Sequence, residues 1–575
     1  MADWGPADEE IHREHDGEVV IDDEAADYTS ADYAGAEVHD DEPLHFKFSL
    51  RKLWRFAGPG WLMSLAYLDP GNLESDLQQG AYSGYRLVWL LWWATVTGLI
   101  LQEMSARLGI VTGRDLAQTV RAGYPRWLNY VIYVNMEIAV IGSDIQEVVG
   151  TAVAIYLLSN KFIPIWVGCC ITAADTFTFL AIQHLGVRYL EAFICILIST
   201  MSVCFFINWG LSGGSPMGTT DGLPYGWAVP SVQSWAVTQA VGTIGAVIMP
   251  HNLYLHSGLV LSRKVARNKP NRVYAAIWYT RIESAGALLM SFFINLAVVA
   301  VNADRFFDPT CAALPGGPLG CMTISAFNQS EQSATDFGSL TRCQVPLGDS
   351  LVGVCADFSL KSEGYALESV IGHGRFTLLV WAVGLCAAGQ ASTMVCTYAG
   401  QIIMGGCLQI RLHPWVRVLI TRLFALGPAL FVATTTASNQ KLFNSINEYL
   451  NVLQSVQLPF AMLPVLHFTS QQQLLGRFRS GLWLTLVSSL LAFTVIGFSL
   501  VLVVQFVRDP SMGFSAGGVV AVCLYGVVYF CLCCRMMWDE IILCLRWLAN
   551  SVGLMRDRHP TPVQSSELLN PLRAE

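Results

Sequence analysis

The chain has 575 residues, of which 53% are hydrophobic and only 13% charged. A soluble domain carries about twice that charged share, so most of this chain must lie in a solvent other than water, and an ordinary soluble globular protein is excluded. The net charge of −9 is concentrated at one end: residues 1–46 hold 16 Asp and Glu against the single Arg13, which leaves the rest of the chain mildly basic.

Residues 1–46 have too little apolar content to offset the entropy of ordering them and show no helical or strand period, so they read as a disordered acidic tail on the cytoplasmic side. His12, His15 and His39 raise a metal-collecting role for it, but solvated charge runs are common without one. The tail lacks the apolar core and cleavage site of a signal peptide, so the first membrane helix is expected to direct insertion. Apolar stretches of about 20 residues or more then recur along the chain. Twelve are expected, near 54–80, 86–110, 128–158, 163–182, 188–210, 233–262, 273–303, 374–405, 414–436, 445–469, 480–507 and 516–548. Basic residues favour the cytoplasmic face, and Lys47 to Arg55, Arg114 to Arg126 and Arg263 to Arg272 all fall where an even number of crossings returns the chain to one side. Both termini are therefore expected in the cytoplasm.

The first span is interrupted by Ala66-Tyr67-Leu68-Asp69-Pro70-Gly71-Asn72, a carboxylate, a proline and a glycine inside an apolar run. Proline cannot continue the helical ladder, so this span is expected to unwind and to line a polar cavity rather than face lipid. Within the third span, Glu137, Asp144 and Glu147 fall roughly on one helical face. Such a stripe suits a proton relay; the bland reading is a buried ion-pair network joining Asp144 to Arg263 and Glu147 to Arg422. The sixth span carries a second interruption, Ala246-Val247-Ile248-Met249-Pro250-His251-Asn252. Aligning the prolines sets Met249 against Asp69. One break alone reads equally well as an ordinary kink, but two breaks five spans apart match transporters built from inverted five-helix repeats, with an ion site where they meet.

The connection 304–373 should lie outside. It holds Cys311, Cys321, Cys343 and Cys355, which allow three disulfide pairings, and the glycosylation sequon Asn328-Gln329-Ser330. In the tenth span Asn451, Gln454 and Gln457 recur on one face, where hydrogen bonding between helices is the plain alternative to a ligand role for Asn451. The expected organisation is a transport core over 47–470, two further spans over 471–549 and a cytoplasmic tail over 550–575. Ser566-Glu567-Leu568-Leu569 in that tail is a weak endosomal-sorting signal, so the plasma membrane and the endosomal or lysosomal membrane both remain open, as does a homodimer.

An ionised Asp in the hydrocarbon region needs a partner, and Asp69 has no Lys or Arg within its broken span. A cation is the natural one. Asn72 and the carbonyls of Ala66 and Ala246 would add oxygens, a set that alone suits Mg²⁺ or Ca²⁺. Met249 adds a soft thioether, which biases the site toward Fe²⁺, Mn²⁺, Co²⁺ or Cd²⁺. His251 and His256 place groups that titrate near neutral pH beside it, with His256 more readily read as structural.

The segments GPGWLMSLAYLDPGNLESDLQQGA, EIAVIGSDIQEVVG, AVGTIGAVIMPHNLYLHS and NVLQSVQLPFAMLP closely resemble the Nramp family of metal-ion and proton cotransporters, especially its animal divalent metal transporter branch. The likeness runs from about Leu50 to Ser470. It implies an all-α polytopic LeuT-like fold, two inverted five-helix repeats plus two extra C-terminal helices, that imports Fe²⁺ or Mn²⁺ with H⁺ by alternating access and holds no permanent cofactor. The implied metal ligands are Asp69, Asn72, the carbonyl of Ala246, and Met249, with the carbonyl of Ala66 in some states; Asn451 stands where bacterial members have glutamine. The implied proton-linked set is Asp69, Asp144, Glu147 and His251, with Arg263 and Arg422 as partners. A Na⁺-coupled carrier of organic solutes shares the fold but needs no soft ligand. Phosphate-loop, zinc-protease and nucleophile-elbow motifs are absent from the sequence, which argues against an enzyme.

Overall fold

The computed structural model describes residues 49–50, 53, 58–174, 187–213, 222–314, 318–332, 341–346, 352–371, 373–409, 414–435, 440–508 and 516–538. The acidic tail, the C-terminal tail and the side chain of Arg422 lie outside the described residues. Helix occupies part of each of the twelve apolar stretches, and among the described residues seven helices are long and apolar enough to cross a bilayer. The architecture is that of an all-α polytopic membrane protein, with helices satisfying their own backbone groups as lipid requires.

The first span is two helices, Pro59–Leu65 and Pro70–Ser83, separated by a non-helical stretch over residues 66–69. The sixth is likewise two, Val237–Val247 and Pro250–Leu259. Both outer and inner halves are almost wholly buried, so these spans form the centre and the others surround them. The 33-residue third span, Arg126–Leu158, lies along the 34-residue eighth, Arg375–Leu408. The seventh, Pro270–Arg305, packs against both halves of the first. The eleventh and twelfth, Leu482–Arg508 and Ala516–Met536, sit at the periphery with many apolar side chains exposed, as lipid-facing helices do.

Close approach at the centre depends on small residues. At Gly245 a side chain would run into the carbonyl of Asn451, and at Gly150 into the ring of Pro70, so these glycines let the tenth span meet the sixth and the third meet the first.

The connection after the seventh span adds an element not expected from an all-helical reading. Strands β1 (Gly320–Thr323), β2 (Arg342–Gln344) and β3 (Val352–Ala356) form an antiparallel sheet in the order β1-β3-β2. Disulfides Cys311–Cys355 and Cys321–Cys343 select one of the three pairings and join the sheet to itself and to the preceding segment. Strands this short need such cross-links to persist. Asn328 is exposed beside the sheet. The module is fastened down by Glu331, which meets Lys361 at 2.8 Å and Lys161 at 3.2 Å and accepts from Tyr156 Oη at 3.0 Å. Burial pushes the Glu331 carboxyl up, but hydrogen bonds from Lys361, Lys161 and Tyr156 outweigh it and hold the pKa at about 2, below the usual carboxylate range.

Candidate metal site

A proline removes the N–H that would bond the carbonyl four residues earlier. Pro70 and Pro250 therefore withdraw the helical donor from Ala66 and Ala246 respectively, and the same rule acts twice at equivalent depth. Each proline is also the first residue of the outgoing half-helix, where its missing N–H costs nothing. That places Asp69 and Met249 at matching N-cap positions. The Asp69 carboxylate caps its helix, accepting from Gly71 N at 3.1 Å, and accepts from Asn72 Nδ2 at 2.5 Å. Because Asn72 donates its amide to Asp69, its Oδ1 is turned elsewhere; that atom is buried and has no hydrogen-bond donor among the described residues. An acceptor left without a proton source beside a buried carboxylate is what a cation would satisfy.

The two breaks are joined directly and through neighbours. Asn252 Nδ2 of the sixth span donates to the freed Ala66 carbonyl at 3.4 Å. Ser143 Oγ of the third span lies 3.9 Å from Met249 Sδ and donates to Glu147 Oε1 at 3.1 Å. Gln146, three residues on from Ser143, donates to Asn451 Oδ1 at 2.9 Å and to the Asn447 carbonyl at 3.1 Å, while Asn451 Nδ2 donates to the Gly71 carbonyl at 3.4 Å. The seventh span closes the back of the first break, with Asn295 Nδ2 donating to Tyr67 O at 2.9 Å. Asp69, Asn72, Ala66, Ala246, Met249 and Asn451 are all buried.

Asp144 and Glu147 are buried on the third span, and Glu137 is partly buried two turns inward of Asp144. His251 and His256 are buried on the sixth, and Nδ1 of His251 has no hydrogen-bond partner among the described residues. Arg263 forms an ion pair with Glu191 of the fifth span at 2.7 Å, an acid that nothing in the sequence singled out. Ser143, Gln146 and Asn252 were also missed as members of the site. Their signal was present, since Gln146 interrupts an apolar run between two acids and Asn252 mirrors Asn72 in the proline alignment.

This arrangement, two proline-broken spans crossing at the centre of a polytopic helical bundle with polar groups gathered at the breaks, is that of a membrane transporter. The model of the natural resistance-associated macrophage protein-like family matches residues 60–329 and 352–505, and the chain belongs to the Nramp family. Its members are transporters, so the chain is a transporter and not an enzyme. It is 44% identical over 470 residues to metal transporter Nramp4 of Arabidopsis thaliana, covering 81% of this chain and 83% of that one. It is 42% identical over 492 residues to protein Malvolio of Drosophila melanogaster, covering 86% and 79%. Among solved structures, a manganese transporter of Eremococcus coleocola superimposes with a TM-score of 0.67 at 26% identity, covering 90% of this chain and 98% of that one.

Proposed function

We propose that this protein is a proton-coupled importer of divalent transition-metal ions, with Fe²⁺ and Mn²⁺ as substrates and Co²⁺ and Cd²⁺ also carried. The observation that supports this most is the matched pair of N-caps: a buried carboxylate at one break and a buried thioether at the other, beside an Asn72 oxygen that has no donor among the described residues. In this reading Asp69 supplies charge, Asn72 and the Ala246 carbonyl supply neutral oxygens, and Met249 supplies the soft donor that distinguishes transition metals from Ca²⁺ and Mg²⁺. The Ala66 carbonyl and Asn451 join in states where their present hydrogen bonds open. Relatives named as metal transporters, and a structural neighbour named as a manganese transporter, agree with that substrate class.

Protons travel by an overlapping set that shares Asp69 with the metal, namely Asp69, Asp144, Glu147 and His251, with Arg263 and Arg422 balancing charge nearby. Ser143, in contact with both Glu147 and Met249, makes the two sets neighbours, so metal arrival and proton departure are coupled electrostatically. The chain enters the bilayer with both termini in the cytoplasm, in the plasma membrane or in endosomal or lysosomal membranes, with an N-glycan on Asn328 in the outer module. The test is uptake of radioactive Mn²⁺ and Fe²⁺ into proteoliposomes with and without an acid outside. Uptake that is driven by the acid gradient and acidifies the lumen supports the reading. Uptake of an organic solute that requires Na⁺ and ignores Mn²⁺ sinks it in favour of the alternative with the same fold.

A further inference from the structure

Outside the residues assigned to the transported ion, the third and eighth spans bring three ligand side chains together. One ligand atom each from Asp144, Glu147 and Cys396 lies within 4.8 Å of the others, and all three side chains are buried. Asp144 and Glu147 are one turn apart on the third span and face Cys396 across the long contact between the two helices. The thiol is held there by its hydrogen bond to the Val140 carbonyl at 3.4 Å. A second group of comparable closeness, Asp308 with Cys311, Cys321 and Cys343, offers no such chemistry, because its cysteines are consumed in disulfides. The membrane triad keeps its thiol.

Two carboxylates and a thiol are a donor set for Zn²⁺ or Cd²⁺, whereas Mg²⁺ and Ca²⁺ gain little from sulfur. Position matters as much as composition. Ser143 Oγ touches Glu147 Oε1 on one side and Met249 Sδ on the other, so an ion in the triad would sit beside the transport site without occupying it.

We propose that Asp144, Glu147 and Cys396 form a second, inhibitory metal site at which Zn²⁺ or Cd²⁺ binds and stops transport by filling the carboxylate stripe. Coordination replaces the thiol proton: the S–H bond breaks, an S–metal bond forms, and the proton leaves to water with no change of oxidation state. The blocking step rests on the proton route proposed above. The binding step does not.

The experiment uses the full chain and Co²⁺ as probe, because a cobalt–thiolate bond gives a charge-transfer absorption that a thioether or carboxylate does not. Wild type and Met249→Ala should both show the band, while Cys396→Ser, Cys396→Ala and Asp144→Asn should lose it. Persistence of the band in both Cys396 variants overturns the site. In proteoliposomes, Cys396→Ser should transport Mn²⁺ as wild type does, yet need at least about tenfold more Zn²⁺ for half-inhibition, in keeping with the loss of one ligand. Zinc inhibition unchanged by Cys396→Ser and purely competitive with Mn²⁺ would place the inhibitor at the transport site and refute the proposal. Should Mn²⁺ uptake be absent altogether, the transport reading fails, and the cobalt spectrum still decides whether the triad binds metal.

Discussion

The first and sixth spans solve the same backbone problem with opposite side chains. Each breaks at or just past an alanine, and each restarts four residues after that alanine with the proline that freed its carbonyl in the first helical position. At the first break the residue before proline is Asp69, a good cap, and its carboxylate does bond the Gly71 amide. At the sixth it is Met249, which makes no capping hydrogen bond. Residues without a capping oxygen cost about 1 kcal/mol at that position relative to Asp, Asn or Ser. One break is locally self-consistent, the other gives up local stability for a sulfur. A position that opposes its own helix is where a functional demand is to be sought.

Four experiments sharpen or break that contrast. The largest effect is expected at Asp69, where replacement by Ala removes the sole formal charge of the proposed ligand set; Mn²⁺ binding measured by calorimetry should vanish, and retained affinity would take the residue out of the site. Next, Met249→Ala should weaken rejection of Ca²⁺ more than it weakens Mn²⁺ transport, so a panel of competing ions in an uptake assay should show Ca²⁺ gaining; equal losses for both ions would deny the sulfur a selective role. Third, Met249→Asn should supply the missing cap and stabilise the fold by about 1 kcal/mol, visible as a small rise in Tm, while transport of Mn²⁺ falls. A lower Tm would mean the methionine is there for packing.

The smallest effect lies in the outer module. The Glu331 carboxyl is held at about 2, below its ordinary value, so the ion pairs it makes stabilise the fold above about pH 4.5 and are lost only as pH falls through 2. Because Glu331 is half exposed, solvent screening keeps the contribution modest. Glu331→Gln should lower Tm slightly and by the same amount at about pH 5.5 and pH 7.5. A difference between those two values would show that the clamp responds to the acid conditions that the proposed proton coupling calls for.

Much of the centre was legible in the chain because its causes are local. Pro70 and Pro250 dictate their breaks and their freed carbonyls from sequence alone, and the three acids of the third span announce a polar stripe by spacing. Partners across helices were not legible. Nothing near Arg263 in sequence points to Glu191, nothing near Val140 points to Cys396, and four cysteines permit three pairings until a sheet sets β1 and β2 on either side of β3. Gln146 was passed over for a related reason: its role depends on Asn447, Asn451 and Gln454 of the tenth span, all about 300 residues away.

The outer half of the first span is tied to the disulfide-linked sheet at several points. Gln78 Nε2 donates to the Phe358 carbonyl at 3.1 Å, Tyr82 Oη accepts from the Phe358 amide at 2.9 Å and donates to Asp357 at 2.5 Å. Phe358 follows strand β3 by two residues. A tilt of that half-helix must therefore drag a cross-linked platform with it. An antibody fragment gripping the platform would sense, and could arrest, a helix it has no means of touching.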